Sequence, residues 1–277
     1  MADQEGRIAV VTGGGRGLGR AAAVGLASRG ATVVAVARSQ DQCDETASIA
    51  AAGKGEGRVI PMTADVADID AVLALGDRVR SEVGQPTILI NAAGVFGPIA
   101  LIHETDPHDW VRTVLIDGIA PYLTVRVFLA GMLEQGWGRI VNVTSAASLH
   151  PPGPLNSAYG TAKVALNQFT RHLASEIAGS GVTANVIHPG DVRTEMWADI
   201  RARVADMGPV AEGYRAWAQW VDETGGDPPS KAVDLILRLT SDEGGSINGM
   251  FNWIDEPLQA PIASWDQPSD ERPWLKN

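Results

Sequence analysis

The sequence predicts an α/β fold: a doubly wound parallel sheet of about seven strands with helices on both faces, in a single domain. Three observations predict it. Short apolar, β-branched runs alternate with helical patterns through the chain. A glycine-rich turn joins the first run to the first helix, and no internal repeat or low-complexity tract breaks the alternation. At 277 residues the chain can bury a substantial core as one large domain.

The first element, Arg7-Ile-Ala-Val-Val-Thr12, reads as a buried strand. Gly13-Gly-Gly-Arg16-Gly17-Leu18-Gly19 follows, and Arg20-Ala-Ala-Ala-Val-Gly-Leu-Ala-Ser28 reads as a helix. Further strands are expected near 31–37, 58–63, 87–91, 138–144, 181–187 and 249–254. Helices are expected near 18–29, 41–52, 68–83, 107–135, 157–178 and 229–240. In such a sheet ligands bind beyond the carboxyl ends of the strands. The glycine loop, Asn91, Ser145 and Pro189 all fall at such ends.

Composition narrows the function classes. Hydrophobic residues make up 45% of the chain, and no apolar stretch is expected to be long enough to span a membrane. Met1-Ala-Asp-Gln-Glu5 has neither a basic nor an apolar leader region, so no secretory signal is expected. The one cysteine, Cys43, precludes an internal disulfide and suits a reducing cytoplasm, the expected location. The plain reading of its thiol is a small packed or partly exposed group. A net charge of −11 argues against polyanion binding, so nucleic acid is not an expected partner.

Tyr159-Gly-Thr-Ala-Lys163, with Ser145 upstream, carries the chemistry. On a helix Tyr159 and Lys163 share a face one turn apart. An ammonium beside a phenol favours the phenolate, which predicts a Tyr159 pKa lowered from about 10 toward neutrality. The Ser145 hydroxyl can hold a carbonyl oxygen while the tyrosine gives or takes its proton. That is equipment for interconverting a ketone and a secondary alcohol. Alone, the same spacing also describes a snorkelled surface pair. The glycine loop weighs against that plainer reading. A strand, a glycine-rich turn and a helix N-terminus form an anion site for a pyrophosphate, with the glycines allowing positive φ and close approach. Its G-x-x-x-G-x-G spacing differs from the commoner G-x-G-x-x-G fingerprint. A tight turn without a ligand is the alternative for this segment alone.

These two anchors, in this order, resemble the short-chain dehydrogenase/reductase family, and further matches run from about Arg7 to Ile254. The resemblance implies a Rossmann-type fold that binds a nicotinamide dinucleotide. Asp65-Val66 looks like the pair that flanks the adenine ring. Asn91-Ala92-Ala-Gly94 looks like the motif that stabilises the sheet and passes the cofactor. Gly138-Arg-Ile-Val-Asn-Val-Thr-Ser145 resembles the fifth strand with its catalytic serine. Pro189-Gly190-Asp-Val192-Arg-Thr194 resembles the loop whose backbone and threonine hold the nicotinamide carboxamide. By the same resemblance Tyr159 is the acid/base, Lys163 lowers its pKa and contacts the ribose, and Ser145 positions the oxygen.

Cofactor choice falls to the end of the second strand. An NAD site usually has an acid there for the ribose hydroxyls, but Ala37-Arg38-Ser39 stands in its place. Arg16 lies in the glycine loop, where family members that prefer NADP often carry a basic residue. One or both arginines suit a 2′-phosphate, so NADP(H) is expected ahead of NAD(H). Two solvated loop arginines are the alternative.

The chain departs from the family at the fourth catalytic position. The family's asparagine there holds, by its backbone carbonyl, a water that connects the lysine to solvent. Alignment through Ala120-Pro121-Tyr122 places Asp117 at that position; a shifted register would place Leu115 there. Pro121 has no N–H to donate to the carbonyl four residues back, which leaves the Asp117 carbonyl open to water. The aspartate loses the amide donors and brings a negative charge toward Lys163, which is expected to shift the pH dependence of the proton path.

Between Thr194 and Thr224 lie Met196, Trp197, Met207, Tyr214, Trp217 and Trp220, where the family forms its substrate lid. Trp217 and Trp220 would share a helix face and line a bulky apolar pocket, or pack at a subunit interface. A hydrophobic, alicyclic or aromatic, ketone or alcohol is the expected substrate. His150 and His188 are near catalytic elements but lack ligand spacing, so no metal is expected. The chain is read as a catalytic domain over residues 1–255, with the lid at about 194–224, and an extension over 256–277. Leu258, Ile262, Trp265 and Trp274 make that proline-broken segment too apolar for a simple solvated tail. It is expected to pack at a homotetramer interface, burying Trp265, with a disordered extension as the alternative and a homodimer as the smaller assembly. The sequence is read as an NADP(H)-dependent oxidoreductase; the rival is a dinucleotide-binding sensor or regulator with weak chemistry, which Asp117 alone favours.

Overall fold

In the computed structural model, which describes residues 3–149 and 152–254, strand β1 (Ile8–Thr12) turns Ala9 and Val11 to one face of the sheet and Val10 to the other. The same alternation splits Val33 from Val34 in β2 (Thr32–Ala37) and Ile88 and Ile90 from Leu89 in β4 (Ile88–Asn91). A strand apolar on both faces needs cover on both, and the helices supply it. With β3 (Arg58–Thr63), β5 (Gly138–Val143), β6 (Val182–His188) and β7 (Phe251–Trp253), the seven strands form one sheet in the order β3-β2-β1-β4-β5-β6-β7. Every neighbouring pair is parallel.

On one face Leu26 of α1 (Gly17–Ser28) and Ile236 and Leu239 of α9 (Pro229–Thr240) pack on Val11, Val33, Ile90 and Val141. Beside α1 lies α2 (Gln40–Ala52), where the Cys43 thiol is buried against the Met62 carbonyl at 3.7 Å. Burial pushes that thiol's pKa up, as for an inert packed cysteine. On the other face lie Leu75 and Val79 of α3 (Ile69–Glu82), Phe128 and Met132 of α5 (Ala120–Gln135), and Leu173 of α6 (Ser157–Glu176). Local signals start and stop these helices. Ser39 and Asp68 accept from backbone N–H groups as N-caps of α2 and α3, and Gly136 ends α5 at φ 62°.

The expected helix over 107–135 is divided. Its first part, α4 (Pro107–Val114), passes into a π-helical turn, Leu115–Ile119, before α5 begins. Ala120 N–H donates to the Leu115 carbonyl, one residue further back than in an α-helix. Pro121 is the physical reason: without an N–H it cannot continue the α-helical ladder back to residue 117. By length and composition Pro107–Gln135 is apolar enough to cross a membrane, contrary to the expectation from composition. In the fold its inner face is core, with Thr124, Val125, Phe128 and Met132 buried. Two helices were not foreseen, α7 (Glu195–Val204) and α8 (Glu212–Thr224); both lie between β6 and α9. The expected packing of the 256–277 segment and its Trp265 lies outside the described residues, as does His150.

A buried polar chain ties the middle of the sheet to its helices. Thr124 Oγ1 donates to Asn91 Oδ1, Asn91 Nδ2 to Asn142 Oδ1, and Asn142 Nδ2 to Thr170 Oγ1, each at 2.8 Å. It links α5, β4, β5 and α6 and holds the ends of both strands in register. Asn142→Ala strands the Asn91 donor in the core and is expected to cost about 2–3 kcal/mol of stability in urea unfolding.

Candidate active site

The site forms where the carboxyl ends of β1 and β4 meet, because the chain winds outward from β1 in opposite directions there. A cleft of about 900 Å³ runs along those ends, from Arg38 and Asp65 on one side to Tyr214 and Trp217 on the other. The glycine loop floors it. Gly13 has φ 67° and would bring a Cβ within 2.8 Å of the Ala92 carbonyl, so no other residue fits there. Arg20 Nε and Thr46 Oγ1 donate to the Gly15 and Gly14 carbonyls at 3.0 and 2.9 Å, which braces the loop from behind. At Gly17, φ 53°, a Cβ would meet nothing closer than 3.7 Å and would instead fill the cleft. The N-cap of α1, Arg16, makes no side-chain capping bond, and the first turn has no acid. Its N–H groups therefore present positive charge to the cleft with no acid on α1 itself, the nearest carboxylate being that of Glu195, whose Oε2 is the atom 3.7 Å from a Cβ at Gly17.

Helix α6 places Tyr159 and Lys163 one turn apart, both buried, on the face that looks into the cleft. Lys163 Nζ donates to the Val143 carbonyl at 3.0 Å and stands 5.4 Å from the centre of the Tyr159 ring. Ser145, just beyond β5, accepts the Ala147 N–H at 3.2 Å, and its hydroxyl is in hydrogen-bond contact with Tyr159. Asp117 enters from the π-helical turn. Its Oδ2 lies 3.0 Å from Lys163 Nζ, with the lysine side chain 5% exposed and the carboxylate fully buried. Oδ2 has no well-aligned donor, so the contact is an ion pair rather than a directed hydrogen bond; Oδ1 accepts the Val95 N–H at 2.9 Å. The turn approaches α6 closely because Gly118 faces Ala162: an added Cβ would lie 3.4 Å from the Ala162 carbonyl. Asp117, not Leu115, is the residue opposite Lys163, and Leu115 is exposed.

The electrostatics differ from the sequence expectation. Burial pushes the Tyr159 phenol up; Lys163 opposes this, Asp117 adds to it, a hydrogen bond with Ser145 opposes it, and the net direction is upward. The lysine alone would lower it, but burial and a carboxylate on another element outweigh that charge. Asp117 is pushed up by burial against the pull of Lys163 and the Val95 N–H. Burial pushes Lys163 down, but Asp117 and Tyr159 outweigh it and hold the lysine up. The two directions differ on which partner keeps the proton they share. Nζ donating to the Val143 carbonyl and Oδ1 accepting from Val95 place it on Lys163, as an ammonium beside a carboxylate. All three shifts describe a cluster that resists losing protons.

Above the tyrosine the cleft widens into an apolar chamber. The Phe96 ring lies 4.9 Å from that of Tyr159, and Tyr214 meets Phe96 edge-on at 5.7 Å. Met196, Trp197, Val210 and Trp217 complete the walls. The Tyr214 phenol is pushed up to about 12, chiefly by burial. Trp217 donates its indole N–H to Asp191 Oδ1 at 2.9 Å, which ties α8 to the Pro189–Thr194 loop. Trp220, expected beside it, is 47% exposed and outside the cleft, and Met207 packs behind the wall.

The remaining residues singled out in the sequence fall as follows. Leu18, Gly19, Ser39, Val66, Ala92, Gly94, Pro189, Gly190, Val192 and Thr194 line the cleft with Arg16 and Arg38. Thr194 also caps α7, accepting the Trp197 N–H at 3.4 Å. Asp65 is paired with Arg112 at 2.8 Å; burial pushes its carboxyl up, but Arg112, the Ala67 N–H and Arg38 together hold it below the usual range. The Asn91 side chain turns into the core instead of the cleft. His188 takes the Ala146 N–H on Nδ1 at 3.2 Å and meets Trp253 edge-on. Among the described residues no group of three His, Cys, Asp or Glu is arranged to hold a metal. Sequence reasoning missed Phe96 and Asp191. Nothing local marks Phe96; Asp191 could have been noticed as the one acid inside the Pro189–Thr194 motif.

The family model for short chain dehydrogenase matches residues 7–205. The short chain dehydrogenase pigC of Monascus ruber is 34% identical over 270 residues, covering 96% of this chain and 84% of that relative. The cis-4-hydroxycyclohexanecarboxylate dehydrogenase of Sinomonas cyclohexanicum is 34% identical, covering 90% of this chain and 95% of the relative. A solved structure from Beutenbergia cavernae, provisionally described as an NAD(P) dependent gluconate 5-dehydrogenase with NADP at low occupancy, is 32% identical with a TM-score of 0.78. It covers 91% of this chain and 96% of that one.

The buried pair has a consequence for stability. Lys163→Met leaves Asp117 buried without its cation and is expected to cost about 3–5 kcal/mol at neutral pH. A carboxyl with a raised folded pKa binds its proton more tightly folded than unfolded. The loss should therefore shrink as pH falls toward the unfolded carboxylate value of about 4 and grow as pH rises above it. Thermal unfolding of both forms from pH 4.5 to 8 measures this.

Proposed function

The chain belongs to the short-chain dehydrogenase family, and on that premise we propose that it transfers a hydride between NADP(H) and a bulky, uncharged, hydrophobic ketone or secondary alcohol. The observation that carries this reading is the contact of Ser145, Tyr159 and Lys163 at the floor of an aromatic chamber. A carbonyl oxygen seated between the Ser145 and Tyr159 hydroxyls receives two donors. Tyr159 gives its proton to that oxygen in reduction and takes it back in oxidation. Lys163 stabilises the phenolate that reduction leaves behind. When bound, the nicotinamide supplies or accepts the hydride.

Several features support the cofactor. The glycine loop with its uncapped helix would hold the pyrophosphate, and Gly17 keeps that space open. Arg16 and Arg38, both exposed and both lining the cleft, suit a 2′-phosphate at a strand end that lacks an acid. Asp65 and Val66 would flank the adenine, and Pro189, Gly190, Val192 and Thr194 the carboxamide. Residues 194–224, with α7 and α8, serve in this reading as a lid over the substrate. As to its charge, the arginines lining the cleft stand at the glycine-loop end, and the chamber's lysine is paired with Asp117. The cyclohexane relative names a ring-borne hydroxyl with a carboxylate; the ring suits this chamber, and the carboxylate finds no arginine in it.

The ion pair of Asp117 with Lys163 favours a second reading, a dinucleotide-binding sensor with weak chemistry. A panel of cyclic and aromatic ketones and alcohols, followed by NADPH and NADH absorbance, separates the two. Cofactor binding without turnover of any member would support the sensor.

Tyr159→Phe is expected to bind cofactor normally and lose about 10²–10⁴-fold in kcat. Near-full turnover by that variant would remove the tyrosine from the mechanism. Replacing both Arg16 and Arg38 by Ala should weaken NADPH far more than NADH in fluorescence titrations. Equal losses, or a wild-type preference for NADH, would show that neither arginine reads a 2′-phosphate.

A further inference from the structure

We propose that Asp117 is a positioning residue that claims the charge of Lys163 and so keeps Tyr159 in its proton-donating form, poising this site for carbonyl reduction at neutral pH and delaying alcohol oxidation to alkaline pH. The proposal rests on the reading of Tyr159 as the acid/base. It starts from geometry: a fully buried carboxylate stands 3.0 Å from the ammonium that Tyr159 must share.

With an uncharged residue at 117, the ammonium would face one acid, the phenol of Tyr159. With Asp117 the pair is already neutral, and ionising Tyr159 leaves one net negative charge in a buried cluster. That charge has little water to screen it, since the Tyr159, Lys163 and Asp117 side chains are all buried.

Groups face the phenol from several elements. From α6 comes Lys163, already engaged with Asp117 and the Val143 carbonyl. From the π-helical turn comes Asp117, and from beyond β5 the hydroxyl of Ser145. From α8 comes Tyr214, a second phenol whose charge would repel a Tyr159 phenolate. His188, at the end of β6, lines the same cleft with its Nδ1 on the Ala146 N–H. Among these, Lys163 is the group that draws Tyr159 toward ionisation by its charge, and Asp117 is the group placed to cancel it.

In reduction the carbonyl carbon gains the hydride and its oxygen gains the Tyr159 proton. The C=O π bond breaks, C–H and O–H bonds form, the dihydronicotinamide is oxidised, and the phenolate regains a proton from solvent. That direction needs Tyr159 protonated and runs below its ionisation; oxidation needs the phenolate and rises above it. Asp117 leaves the reaction's equilibrium alone and sets the pH range in which each direction is fast.

The test uses the full chain with Asp117→Asn, which keeps an acceptor for the Val95 N–H, and Asp117→Ser as a second uncharged form. Ultraviolet difference titration of tyrosinate reads the coupling without turnover, the Tyr159 step being the one lost in Tyr159→Phe. In both uncharged forms that step is expected to move toward acid by about one pH unit. The limb of the alcohol-oxidation profile should move with it, giving about tenfold faster oxidation at a pH below both limbs. A Tyr159 step that stays in place in a variant with native near-ultraviolet circular dichroism overturns the proposal, since the carboxyl would then be protonated and carry no charge to cancel. A step that moves while no form turns over any substrate sustains the coupling and overturns the enzymatic reading alone.

Discussion

Lys163 carries an ammonium into a place where its side chain is 5% exposed, and a charge there must be met by protein groups or it would not remain a charge. Meeting it recruits three elements. The end of β5 offers the Val143 carbonyl, the π-helical turn offers Asp117, and α6 itself offers the ring of Tyr159. Bringing in Asp117 requires local departures from regular structure. The turn has shifted its hydrogen bonds by one residue, Gly118 lets it come against Ala162, and Gly94 leaves room beside the carboxylate, where a Cβ would lie 3.1 Å from Oδ2. The ion pair is thus also a statement about backbone, since side chains larger than these would hold the turn away from α6.

The sheet makes that arrangement possible by pointing every strand the same way. Parallel order places the loops after β1, β4, β5 and β6 at one edge, so residues far apart in the chain meet around one cleft. The buried chain from Thr124 through Asn91 and Asn142 to Thr170 fixes β4 and β5 against α5 and α6, beside Ser145, Tyr159 and Lys163. Asn91 therefore acts from beneath the site without reaching into the cleft, while Thr12 Oγ1 accepts the Ala93 N–H that follows it at 3.2 Å.

The chamber wall is held to the sheet by polar links rather than by a continuous core. Trp217 bonds Asp191, the Asp227 N–H donates to the Asp191 carbonyl and the Asp191 N–H to Asp227 Oδ2, each at 3.0 Å, and Arg193 and Arg201 both reach Asp222. The apolar contacts that remain, Ile99, Leu155, Ile200, Val204 and Ala211, form their own small cluster. Leu155 holds a left-handed conformation, φ 75°, which costs on the order of 1–3 kcal/mol and is kept by that packing. A wall held by a few ion pairs and hydrogen bonds opens at lower cost than the sheet.

The strands were legible in the sequence to within a residue or two, because a run such as Ile8–Thr12 or Thr32–Ala37 is apolar on both faces and fits only a buried sheet. The glycine loop, Ser145, Tyr159 and Lys163 were legible for a similar reason: their spacing along one loop or one helix is a local property. Pro121 even announced that the ladder back to Asp117 must fail, although the π-helical form of that failure needed the backbone. Helices α7 and α8 were not legible, since Gly208 and Pro209 interrupt their pattern. Nor was the direction of the Tyr159 shift. Its lysine neighbour is four residues away in the chain, but the carboxylate that opposes that lysine is forty-two residues away, and the ring that packs on the tyrosine is Phe96, from the loop after β4. The sequence by itself determined the sheet, the glycine loop and the placing of Tyr159 and Lys163 on one helix face, because short-range patterning and backbone chemistry decide those. Tertiary structure alone decided which charges face one another and how much water reaches them, because electrostatic energy depends on distance and burial in space and not on separation along the chain.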